Sequence, residues 1–243
     1  MTCIRVYRAD LGELSASACF GLLQVAERQR ALVMVHRPAM HEFVKTRALV
    51  RLLLSEHTRL PPSDLEIGTG ANGKPYLSNV TGVHFNVSHS HGLALVAVAS
   101  APVGVDIERI DASVDMFGVA RSVFSTSEIA RHRATPGQRQ GDVFFSMWTR
   151  KEAYLKATGL GFSGALPEIT TPPRAGKVLD HSDNAEAPAW YAFDLPAPVN
   201  FRAALVTACK VPTIELINDA DLTPLLASHR TSRAIADRAC AAA

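Results

Sequence analysis

The stretch Trp148-Thr149-Arg150-Lys151-Glu152-Ala153-Tyr154-Leu155-Lys156 constrains the fold of this chain more than any other. It holds neither proline nor glycine and is rich in helix formers, so it predicts a helix that Gly159 can stop. On that helix Trp148, Glu152 and Lys156 recur at i, i+4 and i+8 and share a stripe, which the tryptophan turns inward. A carboxylate and an ammonium facing inward must be paired with each other, solvated in a cleft or bound to something else. An exposed Glu–Lys surface pair is the alternative.

What stands upstream bears on that choice. The short strand pattern Ile4-Arg5-Val6-Tyr7 precedes helical spacing over residues 15–35, which Pro38 interrupts. A second helix is predicted from about Met40 to Glu56, with Arg37, Lys45, Arg47 and Arg51 before or along it; such residues usually form a solvated face. Pro61-Pro62 stops it. Ile67 to Tyr76, with Asn72-Gly73-Lys74-Pro75 inside, reads as a tight hairpin carrying Lys74 at its rim. Val83 to His89 alternates apolar and polar residues and predicts a strand. His89 and His91 find no third nitrogen or sulfur ligand nearby, so zinc is disfavoured; His89 suits hydrogen bonding to an anion better.

Pro102 to Arg109 is the second decisive stretch. Val105 and Ile107 alternate with Asp106 and Glu108, which places both carboxylates on one face of a strand. Adjacent carboxylates repel unless a cation or an arginine such as Arg109 neutralises them, and a hard cation such as Mg²⁺ takes such oxygens. An exposed strand edge is the plainer reading. Further on, a helix is predicted over Met116 to Phe124, a capping box from Ser125 to Glu128, a polar loop over residues 131–141 and the key helix from Asp142 to Gly159. Strands follow, best at Trp190 to Asp194 and Phe201 to Ala208, then an Ala- and Arg-rich tail.

This order, which recurs loosely on each side of Pro102, predicts an α+β fold of two similar halves, 1–102 and 103–218, with a tail over 219–243. At 243 residues, 47% hydrophobic and 20% charged, the chain can bury a real core. A net charge of +2 argues against general nucleic-acid binding. The four cysteines show no metal or disulfide spacing, no apolar leader is evident and the run Leu93 to Ala99 is too short to span a bilayer, so a cytoplasmic protein is expected.

Asn72-Gly73-Lys74-Pro75, Phe85-Asn86-Val87-Ser88-His89-Ser90, Gly104-Val105-Asp106-Ile107-Glu108 and the W-x-x-K-E-A-x-x-K run from Trp148 to Lys156, in that order, resemble the 4′-phosphopantetheinyl transferases of the Sfp type, in the branch with Trp and Lys-Glu-Ala. The resemblance implies a monomer whose α+β halves are related by a pseudo-twofold, with coenzyme A bound in the cleft between them. The reaction it implies is Mg²⁺-dependent transfer of the phosphopantetheine arm to a serine of an apo acyl or peptidyl carrier protein, releasing 3′,5′-ADP. The chain itself has no nucleophile motif, which suits a reaction whose attacking hydroxyl comes from the partner. The resemblance further implies that Asp106, Glu108 and Glu152 hold the metal, that Glu152 is the general base and that Lys156 contacts the pyrophosphate. Ser88 and His89 would bind phosphate oxygens, Gly73, Lys74 and Pro75 line the nucleotide end, and Arg37 and Arg47 meet the 3′-phosphate. A Mg²⁺-dependent phosphohydrolase and an idle carrier-binding module are the competing readings.

Overall fold

The computed structural model describes residues 2–161, 166–181 and 188–218. In chain order the elements are β1 (Cys3–Asp10), α1 (Ala16–Phe20), α2 (Val25–Leu32), α3 (Arg37–Thr58), β2 (Ile67–Thr69), β3 (Pro75–Leu77), β4 (His84–Ser90), β5 (Leu93–Ala99), β6 (Val103–Arg109), α4 (Met116–Val123), α5 (Thr126–Ala134), α6 (Gly137–Thr158), β7 (Ile169–Thr170), β8 (Gly176–Lys177), β9 (Leu179–Asp180), β10 (Tyr191–Leu195), β11 (Phe201–Thr207) and β12 (Thr213–Ile217). The fold is α+β, as expected. The tail over 219–243 lies outside the described residues.

Two compact units divide the chain, one formed by Met1–Val6 with Glu66–Glu215 and the other by Tyr7–Leu65 with the chain from Leu216 onward. In the smaller unit α3 packs against α1 and α2. Arg51 of α3 is wholly buried there, paired with Glu27 Oε2 at 2.6 Å and donating to the carbonyls of Pro62 and Leu65. Each bond offsets part of the cost of burying a guanidinium. Pro38 separates two helical runs, as expected: α2 ends at Leu32 and α3 begins at Arg37. It stands at the start of α3 behind the N-cap His36, where proline's fixed φ and missing N–H cost nothing.

The larger unit carries most of two four-stranded sheets, ordered β12-β1-β5-β4 and β6-β11-β10-β8. β4 pairs antiparallel with β5, setting Ser88 opposite Leu95, and β6 pairs antiparallel with β11, setting Asp106 opposite Ala204 and Glu108 opposite Arg202. β4 and β6 are therefore the edges of their sheets, and they lie against each other: Asn86 Oδ1 accepts the Val105 N–H at 2.8 Å. Capping an edge with a side-chain amide satisfies a backbone donor that has no ladder partner.

Helix α6 crosses β6 and β11. Gly104 sets the distance, since a Cβ at that position would stand 2.1 Å from Ala153 O and 2.3 Å from Ala157 N. Only a residue without a side chain lets the helix backbone come so close. The polar stretch 131–141, expected to be a loop, instead completes α5 and begins α6. The physical reason is capping and packing. Ser125 and Glu128 form the capping box of α5, and Phe144, Phe145 and Met147 bury the N-terminal half of α6 among Ala120 and Phe124. Trp148 joins that cluster, stacked on Phe144 one turn earlier at 6.5 Å. The inward stripe turns out to be one part of a nearly encircled helix, because Thr149, Arg150, Lys151, Tyr154 and Leu155 are buried as well.

Candidate active site

The second sheet presents its edge carboxylates where α6 passes. Asp106 is 1% exposed, Glu108 is half-buried, and Glu152 comes in from the helix with only 9% of its surface exposed. Their mutual effect is legible in their acidities. Burial and then the nearby Asp106 push the Glu152 carboxyl up to about 7, and the same two causes raise Glu108, while Lys156 opposes both shifts. Three carboxylates are thus crowded at a site that desolvates them.

Lys156 provides the local positive charge. Its Nζ lies 2.6 Å from Asp106 Oδ1 and 2.8 Å from Ser88 Oγ, and the Ser88 hydroxyl donates to the same Oδ1 at 2.7 Å. Asp106 Oδ1 is doubly engaged, whereas Asp106 Oδ2 and Glu152 Oε1 are buried without any hydrogen-bond partner. Single open oxygens occur elsewhere, as at Glu27 Oε1 of the Arg51 pair, but two in one cluster of carboxylates leave room for a further partner. The donor set, all hard oxygens, suits Mg²⁺ better than a soft metal. Among the described residues no group of three or more His, Cys, Asp or Glu side chains is placed to hold a metal ion as the side chains stand. The reason is visible in the contacts: the Lys156 ammonium occupies Asp106, and Glu108 Oε2 is held by the Ser90 hydroxyl at 2.9 Å.

The remaining expected residues fall in different surroundings. His89 follows Ser88 on β4 and is exposed. Gly73, at φ 84, makes the β2–β3 turn and Pro75 opens β3. Lys74 is not a free cation at a rim. Its Nζ donates to Ala157 O at 2.7 Å and Val103 O at 3.3 Å, and burial pulls its pKa down to about 8. Asn72 Nδ2 likewise donates to Gly159 O, so the hairpin is tied to the end of α6, where Gly159 caps the helix in the left-handed region. Gly70, Asn72, Lys74, Pro75, His84 and Gly159 help to line a cavity of about 520 Å³. Arg37 and Arg47 are carried by α3 of the smaller unit, where Arg47 lies over the Phe43 ring at 5.5 Å and burial lowers its pKa.

The roles of several residues that shape the site escaped the sequence reading. Gly104, Asn86 and Ser90 were quoted there only as members of motifs, with no role of their own, and the contacts that seat α6 were missed outright. Arg150 makes a bidentate pair with Asp194 at 2.8 and 2.6 Å, and Lys151 pairs with Glu128 at 2.9 Å. One signal was available: Asn86, Ser88 and Ser90 alternate with period two, which puts all three on one face of a strand.

Comparison with known proteins adds an independent line. A family model described as the 4′-phosphopantetheinyl transferase superfamily matches residues 102–209, and one described as the N-terminal part of 4′-phosphopantetheinyl transferase matches residues 14–102. The 4′-phosphopantetheinyl transferase psf-1 of Bacillus pumilus is 35% identical over 163 residues, covering 67% of each chain. The transferase HetI of a Nostoc species is 32% identical over 192 residues, covering 76% of this chain and 77% of its own. The transferase Sfp of Bacillus subtilis is 31% identical over 144 residues, covering 59% of this chain and 63% of its own.

Proposed function

From the premise that this chain belongs to the 4′-phosphopantetheinyl transferase superfamily and is an enzyme of that class, we propose that it moves the phosphopantetheine arm of coenzyme A to a serine of an apo acyl or peptidyl carrier protein, with Mg²⁺ held by Asp106, Glu108 and Glu152. The observation that carries the metal part is the pair of buried, partnerless oxygens, Asp106 Oδ2 and Glu152 Oε1, in a cluster whose only nearby ammonium, among the described residues, already sits on Asp106 Oδ1.

The chemistry assigned to the chain's own residues is a proton transfer and a set of anchors. The carrier's serine oxygen forms a bond to the phosphorus of the arm, the bond from that phosphorus to the ADP oxygen breaks, and 3′,5′-ADP departs with the electron pair. Glu152 takes the serine proton, directly or through water. When bound, the cation supplies charge neutralisation at the pyrophosphate oxygens. Lys156 contributes a point charge to the same oxygens, drawn from Asp106 toward the incoming anion. Ser88 and His89 add hydrogen bonds to phosphate. Gly73, Lys74 and Pro75 line the nucleotide end, Lys74 through its stem, since its amine is spent on two carbonyls. Arg37 and Arg47 meet the 3′-phosphate in this reading, on the strength of the family resemblance.

The finer parts of the proposal have their own supports. Division into halves 1–102 and 103–218 is supported by two family models that meet at residue 102, while the pseudo-twofold between them rests on the family resemblance. Docking of the carrier near α4 is supported by Phe117, which leaves 47% of its surface exposed beside the half-buried Met116. A monomer in the cytoplasm, acting on neither nucleic acid nor membrane, completes the proposal. Free thiols at Cys3, Cys19 and Cys209 suit a reducing compartment, and among the described residues no helix is long and apolar enough to cross a membrane.

Incubation with coenzyme A, Mg²⁺ and a panel of apo acyl and peptidyl carrier proteins tests the reading by mass spectrometry. The expected result is a gain of about 340 Da on the carrier serine, the mass of the arm moved in the metal-assisted transfer, lost on chelation of the cation. No gain on any carrier, or hydrolysis of coenzyme A at a comparable rate without a carrier, would sink it.

A further inference from the structure

Ser90 has no role in the reaction as assigned above, yet it belongs to a row with one. Along the inner face of β4, Asn86, Ser88 and Ser90 each reach β6. Asn86 accepts the Val105 N–H, Ser88 donates to Asp106 Oδ1 at 2.7 Å, and Ser90 donates to Glu108 Oε2 at 2.9 Å while accepting the Arg109 N–H at 3.3 Å. The two carboxylates are therefore treated alike. A serine two residues further along β4 holds one oxygen of a carboxylate two residues further along β6. For Asp106 the oxygen that the serine does not hold is the one left buried without a partner.

Behind Ser90 stands His91, whose Nδ1 is 3.1 Å from Ser90 Oγ. A hydroxyl has a single proton, and Ser90 gives its own to Glu108. With the Ser90 proton on Glu108, the His91 tautomer that completes this contact is the one protonated on Nδ1, donating to the serine. His91 also adopts φ 50 in the turn between β4 and β5, a left-handed conformation uncommon for a residue other than glycine. Glycine would make the turn without strain but could not orient the hydroxyl.

We infer that Ser90, oriented by His91, is a positioning residue for Glu108: it fixes Oε2 and leaves the other carboxylate oxygen to the divalent cation. The inference rests on the proposal that Glu108 is a ligand. Such outer contacts set the direction of a ligand's lone pairs, and their loss weakens metal binding by about 10- to 100-fold.

The test is Mn²⁺ binding, read by the paramagnetic resonance signal of the free ion, in enzyme with coenzyme A and without carrier protein. Ser90→Ala is expected to bind Mn²⁺ about 10- to 100-fold more weakly, in the direction of Glu108→Gln, with Ser90→Thr restoring affinity. Coenzyme A affinity measured without metal stays unchanged in Ser90→Ala. His91→Gly is expected to weaken Mn²⁺ binding while raising Tm, the combination a merely structural residue does not give, because glycine relieves the turn. Wild-type Mn²⁺ affinity in Ser90→Ala, alongside a loss in Glu108→Gln, overturns this inference alone. Wild-type affinity in Glu108→Gln overturns the metal assignment and this inference with it. Parallel loss of Mn²⁺ affinity, metal-free coenzyme A affinity and Tm in Ser90→Ala assigns the residue to folding and overturns the positioning role. Should Ser90→Ala fail to fold, unchanged Mn²⁺ affinity in His91→Gly overturns it.

Discussion

Helix α6 carries two lysines, each paired with a buried carboxylate, and the pairs could hardly be finished more differently. At Lys151 every valence is used. Its Nζ donates to Glu128 Oε2 at 2.9 Å, to Leu166 O at 2.7 Å and to Ile169 O, while Glu128 receives Ser125 N–H on Oε2 and both Thr171 N–H and Oγ1 on Oε1. At Lys156 the pair with Asp106 leaves Asp106 Oδ2 open, and Glu152 Oε1 beside it has no partner either. Low dielectric makes a finished network hold its parts rigidly and makes an unfinished one costly. The closed pair serves the fold by pinning α6 to α5 and the 166–171 segment. The open one leaves two buried carboxylate oxygens unsatisfied, as the proposed cation site requires, so completeness of hydrogen bonding separates the two more clearly than burial does.

The comparison can be broken at its closed end first. Lys151→Met removes one partner of a buried pair and should cost about 3–5 kcal/mol in urea unfolding, with the double variant Lys151→Met/Glu128→Gln recovering part of it. Lys156→Met, by contrast, should cost far less stability and lose transfer activity. Equal destabilisation by the two single variants would erase the distinction. The second test is steric. Gly104→Ala sets a methyl against the α6 backbone and should cost about 1–3 kcal/mol, with the transfer rate falling because Glu152 and Lys156 ride on the displaced helix. Unchanged stability and rate would mean that the helix is not held to β6 at that point.

The smallest effect is a pH slope confined to the open end. Because Glu152 titrates at about 7 in the folded protein instead of 4.5, the folded state holds its proton over that range and the unfolded chain does not. Metal-free stability is then fully present below about pH 4.5 and declines as pH rises to 7, by at most about 1.4 kcal/mol per pH unit from this group. Glu108, raised for the same reasons, acts in the same direction. Glu152→Gln should flatten the slope in urea titrations of chelator-treated protein. A slope that persists undiminished in that variant would place its origin elsewhere.

Much of this was legible before any coordinates. The alternation at Val105 and Ile107 placed Asp106 and Glu108 on one face of a strand, and the capping signature at Ser125 and Glu128 is present in full. Pro38 marked the boundary between helical runs, and the second helix starts three residues earlier than expected because proline is accepted in its first turn behind the cap His36, which carries little signal. The polar run 131–141 misled because α5 and α6 derive their stability from packing on one flank, which composition averages away.

By itself, the sequence determined the identity and periodicity of the functional groups: two carboxylates two apart on a strand, a third carboxylate and a lysine four apart on a helix, and three polar side chains in alternation on a second strand. Repeats of 2 and 3.6 residues are local geometry, so local sequence suffices to read them. Tertiary structure alone decided which groups meet and which are already spent. It laid β4 on β6 through Asn86, drew α6 down onto Gly104, consumed Lys74 and Lys151 on backbone carbonyls and left Asp106 and Glu152 with open oxygens. Those outcomes depend on contacts between residues far apart in the chain. Two lysines with the same side chain on the same helix acquire different work only when the rest of the molecule has closed around one of them.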